Sequence, residues 1–372
     1  MKALFFASVG LIFFAYMGYP ACLYLWARFW PRPVRKKCIF PRISIVMAVH
    51  NEEDHLPCKL LNLAALDYPS SLLEVIVVSD GSTDGTNRIL DAWQDSNSKV
   101  AIFAQQQGKA GALNLGVAKA GGEIICFTDA RQMISSDGLK SLAANFADPT
   151  VGCASGELII GDQDNTPSSS GVGWYWRFEK KIRNWEGLSG STVGATGAFY
   201  AIRWSLFSPM PMGTILDDVF IPLQIARKGS RVIFDCQAVA WDNFSPSPQQ
   251  EFRRKVRTMA GNYQLLQIAP WILTPSNPLL FQFVCHKLLR LMVPFALVGA
   301  LVSTLWFPQG IYEFALVIQL VFYGFAIFTL LRRKVGILSR LSNISFAFLV
   351  LNAAAMMAFI YFITGKKAAW AR

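Results

Sequence analysis

Hydrophobic positions divide the chain into an apolar opening, a polar middle and an apolar close. Residues 3–27 carry no acidic or basic side chain until the basic run beginning at Arg28, and they are rich in Phe, Tyr and Leu. At about 1.5 Å per residue they are long enough to cross a hydrocarbon core of roughly 30 Å, which predicts a spanning helix within residues 1–30. A secretory signal peptide is the alternative, but the stretch is long for one and has no small-x-small cleavage site. Three more candidates, at about Leu291–Tyr312, Phe314–Leu331 and Leu341–Gly365, make residues 291–365 a carboxy-terminal membrane region. Residues 279–290 mix apolar positions with late basic ones. They predict either a helix lying in the interface or an extension of the next span, with His286 read as an interfacial side chain rather than a ligand.

Between them, residues 41–275 alternate short β-branched runs with helical periodicity. The pattern predicts strands at Ile43–Val49, Glu74–Ser79, Val100–Ala104 and Glu123–Thr128, and helices at Glu53–Leu66, Asp84–Trp93 and Lys109–Ala120. Such alternation predicts an α/β domain with a parallel sheet covered on both faces. Ligands in such sheets bind where strands end at their carboxyl edge.

Composition agrees with the division. The 372 residues are 53% hydrophobic and 16% charged, with a mean hydropathy of +0.35, too apolar for an ordinary soluble enzyme. Seven scattered cysteines without a CxxC pair indicate neither a disulfide framework nor a zinc knuckle, and three histidines argue against a His-rich metal centre. The net charge of +11 gathers partly at Arg28, Arg32, Arg35, Lys36, Lys37 and Arg42, beside the first helix. By the positive-inside rule this puts the polar domain in the cytoplasm. The basic 332–340 connection agrees, whereas the tail with Lys366, Lys367 and Arg372 then falls outside, against the rule. Juxtamembrane clusters account for the basic charge without nucleic acid.

Three predicted strand ends carry polar clusters: His50-Asn51-Glu52-Glu53, Asp80-Gly81-Ser82-Thr83-Asp84-Gly85-Thr86 and Asp129-Ala130-Arg131-Gln132. A carboxylate at such an edge accepts hydrogen bonds from a nucleoside; the alternative for residues 80–86 is a turn leading into a capped helix. Together with Gly108-Lys109-Ala110-Gly111-Ala112-Leu113-Asn114, these segments resemble the ordered signatures of family 2 glycosyltransferases, and most of all the membrane-bound synthases of bacterial polysaccharides such as poly-N-acetylglucosamine, hyaluronan and cellulose.

The resemblance implies a GT-A fold over residues 41–275, a nucleotide-sugar donor and inversion at the anomeric carbon. On matched positions it puts Glu52 and Asp80 at the uridine, with Asn51 among the donor-binding residues, Lys109 and Asn114 near the diphosphate and sugar, and Asp129 at the first Asp of the DxD element, where Mg²⁺ or Mn²⁺ binds. Here that element reads Asp129-Ala130-Arg131, so Asp129 either still holds the metal, with diphosphate and water completing an oxygen shell, or Arg131 itself grips phosphate. A second carboxylate is required as general base. Asp217-Asp218 occupies the place of the family's Thr-Glu-Asp element, which implies Asp218 as base and Asp217 as its neighbour; the alternative is an acidic helix N-terminus.

Gly194 to Tyr200, with Thr196 and Gly197, is similar to the segment that lines the acceptor in that family. Trp174, Tyr175, Trp176 and Trp185 accompany Arg177, Lys180, Lys181 and Arg183 on a predicted amphipathic helix that stacks on sugars, rests on the membrane or packs into the core. Arg254, Lys255 and Arg257 fall where processive members have Gln-Arg-x-Arg-Trp, with Thr258 in place of the Trp. Cations here would meet diphosphate, or anionic lipid instead.

The expectation is a multi-pass protein of the inner, cytoplasmic membrane, its catalytic domain facing the cytoplasm. It moves a sugar from a UDP-sugar to a lipid-linked or growing polysaccharide acceptor, in company with membrane lipid and other polysaccharide-export components. The alternatives are one-sugar transfer to polyprenyl phosphate and a non-catalytic nucleotide-sugar-binding subunit. A transporter finds no intramembrane charge pair in the predicted spans.

Overall fold

The computed structural model describes residues 1–93, 98–161, 171–242, 247–307, 309–330 and 336–365. Among the described residues eight strands form one sheet: β1 (Ile43–Val49), β2 (Leu73–Asp80), β3 (Ser98–Phe103), β4 (Ile124–Thr128), β5 (Met133–Ile134), β6 (Val151–Ile160), β7 (Phe199–Arg203) and β8 (Arg231–Asp242). Their order is β3-β2-β1-β4-β7-β6-β8-β5. The first four strands are mutually parallel, as expected. Beyond β4 the sheet turns mixed: β7 runs antiparallel to β4 and β6, so the fully parallel expectation holds for one half.

Parallel strands covered on both faces read as continuous apolar runs rather than alternating ones. In β1 every residue but Ala48 is buried. One face packs Val46, Ile76, Val78 and Ile125 against Leu113, Val117, Phe220 and Leu223 of the helices Lys109–Ala118 and Asp217–Arg227. The other packs Ile45, Met47, Val77 and Cys126 against Leu56, Leu60, Leu139 and Leu142. At roughly 1.5–3 kcal/mol for each fully buried large aliphatic side chain, this double burial is the main term holding the layers together.

Among the described residues four helices are long and apolar enough to cross a membrane: Lys2–Phe29, Leu280–Trp306, Ile311–Phe328 and Ser342–Thr364. The stretch 279–290 joins the second as its first turns, with a π-helical turn at Val284–Leu288. The domain is tied to these helices. Helix Pro248–Ile268, opened by a reciprocal capping box between Ser247 and Gln250, packs Val256, Ala260 and Tyr263 against Ala354, Ala355 and Ala358 of the last one. Helix Gly171–Ser189 joins Ile182 to Tyr19, Leu23 and Cys285.

The candidate active site

The carboxyl ends of β1, β2 and β4 meet the amino ends of the helices Lys109–Ala118 and Asp217–Arg227. At the first, Asn51 adopts φ 54°, a left-handed conformation that Asn tolerates better than most residues. That turn aims its side chain at the next loop, where Oδ1 accepts from the Thr83 amide (2.7 Å) while its own amide donates to Ser82 Oγ (3.1 Å). The Glu52 amide donates to Thr86 Oγ1 (2.9 Å), and Glu52 Oε2 lies 3.1 Å from His55 Nδ1.

Asp80 is buried, and its carboxylate accepts from the Gln107 amide (2.6 Å) and the Gly108 amide (2.9 Å). It thereby clamps the loop that delivers Lys109. Gly81 beside it has φ 66°, and a Cβ there would stand 2.5 Å from the Gln106 nitrogen; both the conformation and the close approach require glycine. Asn114 spends both ends of its amide on Met210, donating to its carbonyl (2.8 Å) and accepting from its amide (2.9 Å). It holds the 207–214 loop.

Lys109 is the centre of the site. Its Nζ lies 2.9 Å from Asp129 Oδ1 and 3.5 Å from Asp217 Oδ1, joining the end of β4 to the start of a helix some ninety residues downstream. Burial works against its charge, but Asp129, Asp217 and Asp218 outweigh it and hold the ammonium well above its ordinary pKa. Asp217 is buried, with Tyr200 Oη 3.5 Å from its Oδ2; its carboxyl is raised by burial, partly offset by Lys109.

Asp218 is pushed up to about 6 by burial and by the adjoining Asp217, while Lys109, Lys287 and Arg183 pull the other way. The Gly194–Tyr200 segment lies directly against it. The Ala195 amide donates to the Asp218 carbonyl (2.7 Å), and a Cβ on Gly197 would stand 3.2 Å from Asp218 Oδ2. Thr196 is anchored behind this contact: its amide donates to Ser155 Oγ (2.7 Å) and its Oγ1 accepts from Arg183 Nη1 (2.9 Å).

The basic residues of helix Pro248–Ile268 divide. Arg254 and Lys255 pair with Glu251 at 2.9 and 3.4 Å, and Lys255 also lies over the Trp176 ring, 5.1 Å from its centroid; Arg257 is exposed. The side chains of Trp174 and Tyr175 lie outside the described residues.

A cavity of about 90 Å³ opens on the far side of Asp218, where Arg183, Thr258, Asn262 and Lys287 also line it. Lys287 was missed by reading the span from Leu291. The signal was present, because ionisable residues within an apolar helix are functional candidates by default.

Among the described residues no group of three His, Cys, Asp or Glu side chains is arranged to hold a metal ion. The donor set nonetheless fits a hard divalent ion: Asp129 and Asp217 offer oxygen ligands around one cation position, now taken by the Lys109 ammonium. Mg²⁺ ordinarily takes one or two carboxylates and fills its shell from substrate phosphates and water.

Residues 44–207 match the family profile described as Glycosyl transferase family 2. The poly-β-1,6-N-acetyl-D-glucosamine synthase of Staphylococcus aureus (strain MSSA476) is 24% identical over 229 residues, covering 60% of this chain and 55% of that protein. A probable glycosyltransferase, YdaM, of Bacillus subtilis (strain 168) is 23% identical over 236 residues, again 60% and 55%. The chain thus spans about half the length of the curated relatives it matches. Among solved structures, the mannosyltransferase PcManGT from Pyrobaculum calidifontis, in complex with GDP-Man and Mn²⁺, superposes with a TM-score of 0.73 at 22% identity, over 98% of this chain and all of that one. This likeness shows the fold.

Proposed function

We propose, from the match of residues 44–207 to the family 2 glycosyl transferase profile, that the chain is a membrane-bound inverting glycosyltransferase. It passes a sugar from a nucleotide-sugar donor, a UDP-sugar in our reading, to a lipid-linked or growing polysaccharide acceptor of the cell envelope. The observation that carries this reading is the convergence on Lys109 of Asp129 and Asp217, with Asp218 one residue on and pressed against Gly197. A departing nucleoside diphosphate develops negative charge, and fixed cations beside its leaving oxygen stabilise that charge without reorganisation.

In this assignment Lys109 meets the diphosphate and Asp129 is the carboxylate for Mg²⁺ or Mn²⁺. The ion, when bound, neutralises phosphate charge as a Lewis acid. Asp218 removes the proton from the acceptor hydroxyl as that oxygen bonds to the anomeric carbon and the bond to the diphosphate breaks; a carboxylate near pKa 6 is suited to general-base work at neutral pH. Asn51 and Glu52 shape the nucleoside side of the site, with Asp80 and Asn114 as positioning residues for its loops. We assign Arg131, Thr196 and Arg257 to phosphate and acceptor contacts. The name of the staphylococcal relative supports polysaccharide synthesis, and the basic residues beside the first helix support a catalytic domain in the cytoplasm.

The test is to incubate membranes containing the chain with a panel of UDP- and GDP-sugars, measure released nucleotide and isolate labelled product. Transfer from one donor that is lost in Asp218→Asn supports the reading. Release from none of them overturns it.

A further inference from the structure

Behind Asp218, the cavity of about 90 Å³ joins the domain to the membrane helices. Five of its lining groups are ionisable: Arg183, Glu186, Asp218, His286 and Lys287. Two of these are committed to structure. Glu186 Oε1 accepts from Tyr19 Oη at 2.6 Å and lies 2.8 Å from His286 Nδ1, whose Nε2 is 3.0 Å from Glu179 Oε2. The two cations are not. Among the described residues Lys287 Nζ makes no hydrogen bond or ion pair, and Arg183 makes a single donation, to Thr196, with no carboxylate partner. Asn262 adds a buried Oδ1 without a hydrogen-bond partner, an unmet polar atom on the same wall. Thr258 stands where the processive pattern has Trp and lines this cavity.

Two uncommitted cations, one of them a planar guanidinium, are a phosphate-binding pair. The placement of Lys287 restricts what carries the phosphate. It sits on the π-helical turn Val284–Leu288, toward the domain end of the apolar helix Leu280–Trp306, so an anion held there lies at the junction of the domain and a candidate span.

We propose that this cavity binds the phosphoryl group of a lipid-borne acceptor, held between Arg183 and Lys287 beside Asp218. The proposal deepens the transferase reading and rests on it for the word acceptor, but the binding site is separately testable. In the purified full-length chain, without any sugar donor, farnesyl phosphate, farnesol and inorganic phosphate are compared by calorimetry, together with the variants Lys287→Gln and Arg183→Gln. We expect farnesyl phosphate to bind at least tenfold tighter than farnesol. Each variant should lose most of that difference while nucleotide affinity stays within twofold.

Equal binding of the phosphate and the alcohol to the unmodified chain overturns the proposal, and this comparison needs no variant to fold. Inorganic phosphate binding as tightly as farnesyl phosphate also overturns it, since the lipid then plays no part. A chain that binds farnesyl phosphate but transfers no sugar keeps the site and loses the enzyme; a chain that transfers sugar but does not discriminate the two lipids does the reverse.

Discussion

At Asp218 one carboxyl group carries both a functional and an energetic consequence. Its folded pKa of about 6 lies above the ordinary aspartate value near 3.9, so the folded chain binds the proton more tightly than the unfolded one. Stability contributed by that proton is present at low pH and lost as pH rises through about 6, leaving an ionised carboxylate that costs roughly 3 kcal/mol at neutral pH. Asp218→Asn removes that cost. We expect the variant to unfold a few degrees higher than the parent at pH 7.5 and to transfer sugar at roughly 10²–10⁴-fold lower rate. In the parent, kcat/KM should rise with pH through an apparent value near 6. A variant retaining normal turnover, or melting well below the parent, contradicts the assignment.

Lys59 gives the opposite sign. It is fully buried, donates to Thr128 Oγ1 (2.9 Å) and the Gln132 carbonyl (2.5 Å), and is lowered by burial to about 7, with the Cys126 and Asp129 charges opposing. The unfolded chain therefore binds more protons between about 7 and 10.5, and stability increases with pH across that interval. Lys59→Met should flatten the rise in melting temperature between pH 7 and 9 relative to the parent. Parallel curves for the two chains would remove Lys59 from the titration.

At the scale of elements, a buried polar chain ties the domain to the apolar helices. Tyr19 on the first helix, Glu186 and Glu179 on helix Gly171–Ser189, and His286 and Arg290 on the second span bond in sequence, Arg290 pairing directly with Glu179. Burial raises both carboxyls, but the charges of Arg290 and His286 at Glu179, and of His286 at Glu186, hold both below the usual range. Removing one member of a buried pair leaves the other uncompensated, at roughly 3–5 kcal/mol. Glu186→Ala should therefore lower the melting temperature in detergent strongly. Asp67→Ala, which breaks the exposed Lys140–Asp67 pair, should stay within about 1 kcal/mol; equal effects would show that the buried chain does not bind the elements together.

The same chain explains what was legible beforehand. Strand β1 was readable residue by residue and the start of helix Asp217–Arg227 as an acidic helix N-terminus, because a β-branched run and an acidic first turn are local signals. The 279–290 stretch was ambiguous because His286 and Arg290 find their carboxylates about a hundred positions away, a pairing that periodicity does not reveal. Asp80 and Asn114 stood out as polar residues in signatures, but that their side chains would be engaged by backbone atoms of Gln107, Gly108 and Met210 is a product of loop geometry. The antiparallel half of the sheet was obscured for a different reason: β6 reads Val-Gly-Cys-Ala-Ser-Gly-Glu before its last apolar residues, small side chains with little strand signal.

For the whole molecule, the side of the membrane on which the site lies follows from how the first helix hands the chain to the domain. The segment after it is docked, since the Arg32 amide donates to the Leu188 carbonyl (2.7 Å), the Arg35 amide to Asp148 (3.2 Å), and Lys36 pairs with Asp235 at 2.8 Å. The basic residues that report orientation are thus fastened to the domain, and both must occupy the same side. If that side is the cytoplasm, exposed thiols of the domain are reachable from there alone. Cys22, Cys38, Cys58 and Cys236 are exposed, whereas Cys126, Cys153 and Cys285 are buried, and burial holds the Cys126 thiol up at about 12, unreactive at neutral pH. Replacing Cys22, Cys38 and Cys58 by Ala leaves Cys236 on β8 as the one exposed thiol. A membrane-impermeant maleimide should label that chain in inside-out vesicles and spare it in right-side-out ones until detergent is added. Labelling in the opposite vesicles would put the donor site outside the cell, where cytosolic nucleotide sugars do not reach it, and the orientation would have to be reversed.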